Sequence, residues 1–228
     1  MTEAKYAIWD CETTGVEVHE DQIVQFFFAT TDAVGNLIET HEWFIDPGIE
    51  VPEEAAAVHG FSTEFLRVNG QNPEVALEEI RKTFTEHLDL THSAFNMSFD
   101  LSILDAEFKR YGISDRFGEY MRDKVRLVDG LVIDRAKDRY RKGKRTLKAQ
   151  AEHYGVPFNE GDLHNARADV ELTAKVTVRI LEKFGTPTTA QQAAWYRDWA
   201  ENFQQFLRKE NPEAVVDSSW PLKLREDS

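Results

Sequence analysis

Hydrophobic positions near the start of the chain cluster in short runs rather than at helical intervals. Apolar residues dominate segments 6–9, 22–31 and 38–45, and Gly35-Asn36 lies between the last two. Short apolar runs bounded by turn residues are typical of buried strands, and a Gly-Asn turn between two of them predicts a hairpin. The first third of the chain is therefore predicted to form three strands.

From residue 72 onward the apolar residues recur every three or four positions, which predicts amphipathic helices. Start signals precede four of these segments, at Asn72-Pro73, Ser98, Thr146 and Asn165. Two further short strands are predicted at 93–95 and 125–128. Three strands followed by alternating helices and strands predict an α/β fold, a mixed five-stranded sheet flanked by helices.

A linker at 185–188 divides the predicted domain, residues 1–184, from a C-terminal helical extension, residues 185–228. The extension carries an apolar stripe at helical spacing, formed by Ala194, Trp195, Trp199, Phe203 and Phe206. Such a stripe is expected to pack on the domain's own core. The alternative is a docking surface for another protein, because a wide aromatic patch would otherwise stay exposed.

The composition of the chain restricts the class of protein further. The chain has 228 residues, 41% of them apolar, and a single cysteine, which excludes an intramolecular disulfide. It has no apolar run long enough to span a membrane and no basic-then-apolar leader before Tyr6. We therefore expect a cytoplasmic protein that has no membrane partner.

The charge distribution is uneven. A net charge of −14 argues against a nucleic-acid partner, yet the segment 135–148 holds eight basic residues and one acid. This stretch is interpreted as a phosphate-binding segment, because a salt-bridged helix face needs both signs of charge. A solvated helix face is the alternative.

Acidic residues stand at three positions that a fold could bring together. Asp10 and Glu12 follow the first strand and, being two residues apart, project to the same face. Asp100 and Asp169 each fall in the first turn of a predicted helix. Adjacent carboxylates repel unless a cation lies between them, and Mg²⁺ or Mn²⁺ prefers oxygen ligands. The alternatives are solvated acids at a strand end and acids that favour a helix N-terminus.

The motifs DCETTG at 10–15, FNMSFDLSIL at 95–104 and HNARAD at 164–169 occur in this order. Together they resemble the three exonuclease motifs of the DEDDh, or DnaQ-like, superfamily. The middle motif departs from the family pattern, because Phe95 and Met97 stand where His and Ala are usual. The resemblance covers roughly residues 6–184.

This resemblance implies a ribonuclease-H-like fold and a 3′→5′ exonuclease that releases nucleoside 5′-monophosphates. Asp10, Glu12, Asp100 and Asp169 would hold two Mg²⁺ or Mn²⁺ ions. His164 would act as general base on the attacking water, for which an imidazole pKa near 6.5 is suitable. An exposed loop histidine is the alternative.

Candidate substrate contacts follow from the same resemblance, and they are Thr13, Thr14, Gly15, His59, Phe61, Asn96 and Phe99. Glycine permits close approach of a backbone, and aromatic rings stack on bases. For Phe61 and Phe99, a place in the core is the favoured alternative.

The expected substrate is a nucleic acid with a free 3′ end, preferably single-stranded or frayed DNA. RNA trimming is one alternative, and an inactive nucleic-acid-binding or polymerase-associated subunit is another. Proofreading would require a polymerase in trans, and a homodimer is also possible.

Overall fold

The computed structural model describes residues 3–159 and 166–224. Its sheet has the strand order β3-β2-β1-β4-β5. Strand β1 pairs antiparallel with β2 and parallel with β4. The outer pairs are antiparallel β2–β3 and parallel β4–β5. The strands are β1 (Tyr6–Thr13), β2 (Ile23–Thr31), β3 (Leu37–Phe44), β4 (Thr91–Ser93) and β5 (Arg126–Val128). The predicted mixed five-stranded sheet and its first hairpin are confirmed.

Helices cover both faces of the sheet, as predicted. In chain order they are α1 (Glu53–His59), α2 (Thr63–Asn69), α3 (Pro73–Glu86), α4 (Met97–Arg110), α5 (Phe117–Lys124), α6 (Gly130–Lys137), α7 (Leu147–Tyr154), α8 (Ala166–Phe184) and α9 (Thr189–Leu207). Among the described residues, no helix is long and apolar enough to cross a membrane.

The two faces of β1 have different surroundings. Trp9 and Cys11 lie in a large core with residues of α3 and α4. Tyr6 and Ile8 lie in a second core, which α8 dominates. Because side chains alternate along a strand, Asp10 and Glu12 share the face that α8 covers.

Helix α4 begins earlier than its sequence predicts. Asn96 is its N-cap, with φ 60° and ψ 45°, whereas Ser98 is a buried residue inside the helix. The Met97 amide donates to a carboxylate oxygen of Asp129 at 3.0 Å, so a distant side chain satisfies the helix start. The prediction that Ser98 caps this helix was wrong. The strand before it was also predicted two residues too late.

In the extension, α9 packs against α6 and β5. Its buried face is formed by Gln192, Tyr196 and Ala200, not by the predicted aromatic stripe. Phe203 and Phe206 of that stripe are 39% and 61% exposed. The prediction that the stripe packs on the core therefore holds only in part. Trp195 and Trp199 are partly buried against the core. Gln192 takes the interior position, where its side chain donates to the backbone of β5.

Candidate active site

Asp10 and Glu12 occupy the part of β1 that only β2 pairs. Their partners across the antiparallel ladder are Phe27 and Gln25, so the two carboxylates lie on one face as predicted. Strand β4 pairs only with Tyr6–Ile8 of β1, further back along the strand. Within residues 3–159 and 166–224, the edge of β1 that faces away from β2 is therefore not paired with a strand beside the two acids.

Asp100, in the first turn of α4, binds this unpaired edge of β1. Its Oδ1 atom accepts the backbone amide of Cys11 at 3.2 Å and lies 3.3 Å from the Cys11 Sγ atom. The Cys11 amide would otherwise lack a sheet partner on this side. The helix that leaves β4 thus brings Asp100 against the strand segment that carries Asp10 and Glu12.

Asp169 approaches from α8, which packs along β1 and β2. One carboxylate oxygen each from Asp10, Glu12 and Asp169 lies within 4.8 Å of the others. The structure therefore brings together acids that lie nearly 160 positions apart in the sequence.

Burial and mutual repulsion dominate the electrostatics of this cluster. Burial raises the pKa of Asp10 well above its ordinary value, and the charges of Asp100, Glu12 and Asp169 raise it further. Burial, followed by the charges of Asp169 and Asp100, raises the pKa of Glu12 to about 8. Burial also raises the pKa of Asp100 to about 7, although bonds from Cys11 oppose the rise. These groups cannot all ionise near neutral pH unless a cation compensates them.

The donor set suits a hard divalent cation. Every side-chain ligand atom in the cluster is a carboxylate oxygen, the type that Mg²⁺ and Mn²⁺ prefer. Burial first, and neighbouring charges second, raise the pKa values of Asp10 and Glu12, and a bound cation would favour the ionised forms of both groups.

Cys11 lies between these acids and is not a reactive thiol. Burial, followed by the charges of Asp100 and Asp10, raises its pKa well above the ordinary value. A thiol held protonated in this way is a poor nucleophile.

The turn after β1 is held by Asp21. The carboxylate of Asp21 accepts the Thr14 hydroxyl and the Glu17 amide, both at 2.8 Å. The Thr13 hydroxyl donates to the Gly15 carbonyl at 2.6 Å. A Cβ atom at Gly15 would collide with the Asp21 carboxylate. Glycine is thus required by the turn itself, and both threonine hydroxyls are engaged within it.

Arg110 of α4 also stabilises this turn through hydrogen bonds. Its guanidinium donates to the carbonyls of Glu20 at 2.9 Å and Asp21 at 3.2 Å. The buried carboxylate of Glu107 pairs with that guanidinium. Burial raises the pKa of Glu107 to about 7, against the opposing effect of Arg110. The helix that supplies Asp100 therefore also holds the turn that follows Glu12.

Asn96 and Phe99 line an open groove beside the acids. The groove has a volume of about 530 Å³, and its walls are Asp10, Cys11, Phe95, Asn96, Phe99, Asp100, Leu131, Arg135, Lys144, Arg145 and Thr146. Phe99 is half-buried, and the Lys223 ammonium lies 5.9 Å from its ring centre. Both residues therefore lie where a bound chain could reach them.

His59 and Phe61 lie beside Thr13, the last residue of β1. The His59 ring is buried beside the backbone of Thr13, and burial lowers its pKa. It stacks on Phe61 at 5.2 Å, and Phe61 stacks on Phe65 at 5.5 Å. Phe61 also packs against a small apolar cluster. This packing agrees in part with the alternative that Phe61 is a core residue.

The basic segment 135–148 is not a uniformly solvated helix face. Several of its side chains contact other residues of the protein and are not available to bind phosphate. Arg141 and Arg145 each place a guanidinium nitrogen 2.5 Å from a carboxylate oxygen of the buried Asp134. The Arg135 guanidinium lies 3.8 Å from the Trp199 ring centre. Sequence reasoning missed Asp134, because it stands just before the acid-poor part of the segment. Even so, Arg135 and Arg145 line the groove.

Asp129 is a supporting residue that sequence reasoning missed. It is buried, follows β5, and binds the amides of Met97 and Leu131 at 3.0 and 2.9 Å. Its charge contributes to the raised pKa of Asp100. The available signal was its position, an Asp before Gly130 at a helix start.

His164, the predicted general base, lies outside the described residues, and so does the first part of its motif. Asp169 is the member of that motif whose place in the site is described.

Comparison with known proteins identifies the family. A family profile described as an exonuclease of the RNase T type matches residues 7–177, which is most of the chain. The chain belongs to the RNase T exonuclease family. This membership places it in the DnaQ-like 3′–5′ exonuclease superfamily, and it confirms the resemblance that the three motifs carry.

Two of the relatives that this chain matches are much longer proteins. It is 26% identical over 176 residues to DNA polymerase III PolC-type of Ureaplasma parvum, covering 77% of this chain and 11% of that one. It is 28% identical over 181 residues to 3′-5′ exonuclease DinG of Staphylococcus epidermidis, covering 79% and 18%. The chain thus spans less than a fifth of the length of these relatives.

Solved structures support the fold of this family member. Escherichia coli Exonuclease I in complex with a dA16 oligonucleotide matches with a TM-score of 0.69 at 19% identity, covering 86% of this chain and 44% of that one. Exonuclease I from Methylocaldum szegediense matches with a TM-score of 0.66 at 19% identity, covering 90% and 46%. The predicted ribonuclease-H-like fold is confirmed.

Proposed function

We propose that this protein is a metal-dependent 3′→5′ exonuclease that removes nucleoside 5′-monophosphates from single-stranded or frayed DNA. The observation that carries the proposal is the convergence of Asp10, Glu12 and Asp169 within 4.8 Å, with Asp100 bound to the strand between the first two. A buried group of acids with raised pKa values, in a cleft, is a typical functional site.

Each acid has a defined part. Asp10, Glu12, Asp100 and Asp169 would hold two Mg²⁺ or Mn²⁺ ions, which when bound stabilise charge on the attacking and leaving oxygens of an in-line displacement. Their own geometry is fixed by the strand ladder, the Cys11 amide and the packing of α8. The proximity of Asp10, Glu12 and Asp169, with Asp100 bound to the same strand, supports this ligand set.

His164 is proposed as the general base. A ring nitrogen would accept a proton from the water that attacks the last phosphodiester. The bond from phosphorus to the 3′ oxygen of the preceding nucleotide breaks, and the released nucleotide carries the phosphate on its 5′ oxygen. The base must be neutral to act, which an unperturbed imidazole is above pH 6.5.

The groove beside the acids would receive the end of the substrate. Asn96 and Phe99 would contact the terminal sugar and base, and Arg135 and Lys144 would contact phosphates. Thr13, Thr14, Gly15, His59 and Phe61 would border the site from the other side of β1. The local positive charge lets an acidic protein bind a polyanion at this one place.

DNA is the preferred substrate on the basis of relatives. The matched polymerases are named for DNA, and the matched Exonuclease I binds a deoxyadenosine oligonucleotide. A DNA polymerase would be the partner if this chain proofreads.

The test is digestion of 5′-labelled DNA and RNA oligomers of one sequence by the purified protein, with Mg²⁺ or with EDTA. We expect Mg²⁺-dependent shortening of DNA from the 3′ end, and no shortening with Asp10→Ala. Much faster loss of RNA would overturn the substrate preference. Retained activity in Asp10→Ala would overturn the site assignment, and binding without cleavage would indicate an inactive subunit.

A further inference from the structure

We propose that Glu39, His41 and His87 form a second metal site, for Zn²⁺ or a similar first-row divalent ion. Each of the three offers one ligand atom, and these atoms lie within 4.8 Å of one another. In the described part of the chain, this is the one group besides the catalytic acids in which three such donors meet.

The three proposed ligands come from two parts of the fold, and both imidazoles lie beside the carboxylate of Glu39. Glu39 and His41 belong to β3, and His87 directly follows the last turn of α3. The His41 Nε2 atom lies 2.8 Å from one oxygen of Glu39, and the His87 Nε2 atom lies 3.6 Å from the other. The two imidazoles thus approach the two oxygens of one carboxylate.

Neighbouring rings hold both imidazoles in place. The His41 ring stacks on Trp43 at 5.7 Å with an interplanar angle of 12°, and the His87 ring stacks on Phe28 at 5.5 Å with an angle of 24°. The buried His92 ring donates its Nε2–H to the His87 carbonyl at 3.0 Å. Ligands that are already oriented lose little freedom when they bind an ion.

The donor chemistry differs from that of the catalytic acids. Two imidazole nitrogens and one carboxylate oxygen suit Zn²⁺, Cu²⁺ or Ni²⁺, whereas Mg²⁺ prefers oxygen alone. Two histidines and one glutamate form a known three-ligand zinc set, with water completing the tetrahedron. The side chains are 20–49% exposed, so an ion can enter from solvent.

The site is separate from the catalytic one. His41 pairs with Phe28, and Phe28 pairs with Trp9, so all three lie on the face of the sheet opposite Asp10. Strand β3 is the edge strand of the sheet. A bound ion would therefore link this edge to the end of α3.

The experiment is a calorimetric titration of Zn²⁺ into the whole protein saturated with Mg²⁺, repeated with His41→Ala and His87→Ala. His153→Ala is the matched control, because His153 faces a single carboxylate, that of Asp138, at 3.3 Å. We expect a Kd of about 1 µM or tighter for wild type and the control. Each cluster variant should bind at least about tenfold more weakly at this site.

A spectroscopic readout separates this site from any Zn²⁺ bound by the catalytic acids. Co²⁺ in a tetrahedral nitrogen-containing site absorbs visible light far more strongly than Co²⁺ among six oxygens. We expect the strong band in wild type and in His153→Ala, and its loss in both cluster variants. Equal Zn²⁺ affinity and equal Co²⁺ spectra in all four proteins would overturn the proposal, as would binding weaker than stated in wild type.

Discussion

Trp220 donates its indole N–H to a carboxylate oxygen of Asp129 at 3.3 Å, and that oxygen also accepts the Met97 amide at 3.0 Å. Met97 opens α4, the helix that carries Asp100. The C-terminal extension therefore reaches the helix start that positions Asp100, one of the proposed metal ligands. Two further contacts lie nearby, because the Gln192 side chain accepts the Asp129 amide at 2.8 Å and Ser102 accepts the Lys223 amide at 2.8 Å.

Trp220→Phe is expected to lower the free energy of unfolding by about 2 kcal/mol, the typical loss for a buried hydrogen bond to a charged group. Urea denaturation measures it. Trp195→Phe is the control for the smaller ring, because Trp195 is half-buried and packs on the core, and it should lower stability by no more than about 1 kcal/mol. Equal losses in the two variants would show that ring packing matters here, not the bond to Asp129.

Asp21→Ala is expected to loosen the turn after Glu12, because Asp21 holds both Thr14 and the Glu17 amide. The four acids proposed as metal ligands stay in place, so the main effect should be weaker substrate binding. We expect kcat/KM on single-stranded DNA to fall about tenfold, equivalent to about 1.4 kcal/mol, chiefly through KM. Asp115→Ala, in another loop, is the control. Unchanged KM in Asp21→Ala would contradict a role for this turn in binding.

Glu107 should make folding stability depend on pH. Its pKa is raised to about 7 in the folded protein from an ordinary value of 4.5, so the folded state binds the extra proton between these values. Stability from this group is therefore complete below pH 4.5 and is lost as the pH rises to 7, by up to about 3 kcal/mol.

The measurement is urea denaturation of wild type and Glu107→Gln at several pH values between 4.5 and 7. The variant cannot ionise, so its stability relative to wild type should increase as the pH rises. Glu78→Gln, which alters an exposed ion pair with Arg81, should show no such trend. Parallel pH profiles for wild type and Glu107→Gln would contradict the account.

His164→Ala is expected to reduce kcat by about 10²–10⁴-fold, the usual scale for removal of a general base. Metal binding should persist, because the acids remain. Single-turnover cleavage and Mn²⁺ titration of the same preparation measure the two properties. A near-normal rate with metal bound would remove this histidine from the mechanism.

The features that could be predicted are those that depend on residues close together in the sequence. The side-chain period of two in β1 placed Asp10 and Glu12 on one face, and the motif order indicated which distant acids join them. These features depend on spacing within a segment, so they can be read before the fold is known.

Supporting contacts were not predictable because they join distant segments. Nothing near Met97 in the sequence indicates that Asp129 will bind its amide, so Ser98 looked like the natural cap. Likewise, Asp134 lies before the basic stretch, and only the fold brings Arg141 and Arg145 back to it. The face that α9 buries depends on Gln192, a polar residue whose interior position no periodicity reveals.

The central claim is that the assembled carboxylates repel one another until a divalent cation binds them. Thermal unfolding in EDTA and in Mg²⁺, for wild type, Asp10→Asn and the exposed-site control Glu50→Gln, tests it most directly. We predict that Mg²⁺ raises the Tm of wild type and of the control but not of Asp10→Asn, and that Asp10→Asn is the most stable of the three in EDTA, by about 2 °C or more. A variant that is less stable than wild type in EDTA and still stabilised by Mg²⁺ would contradict the account.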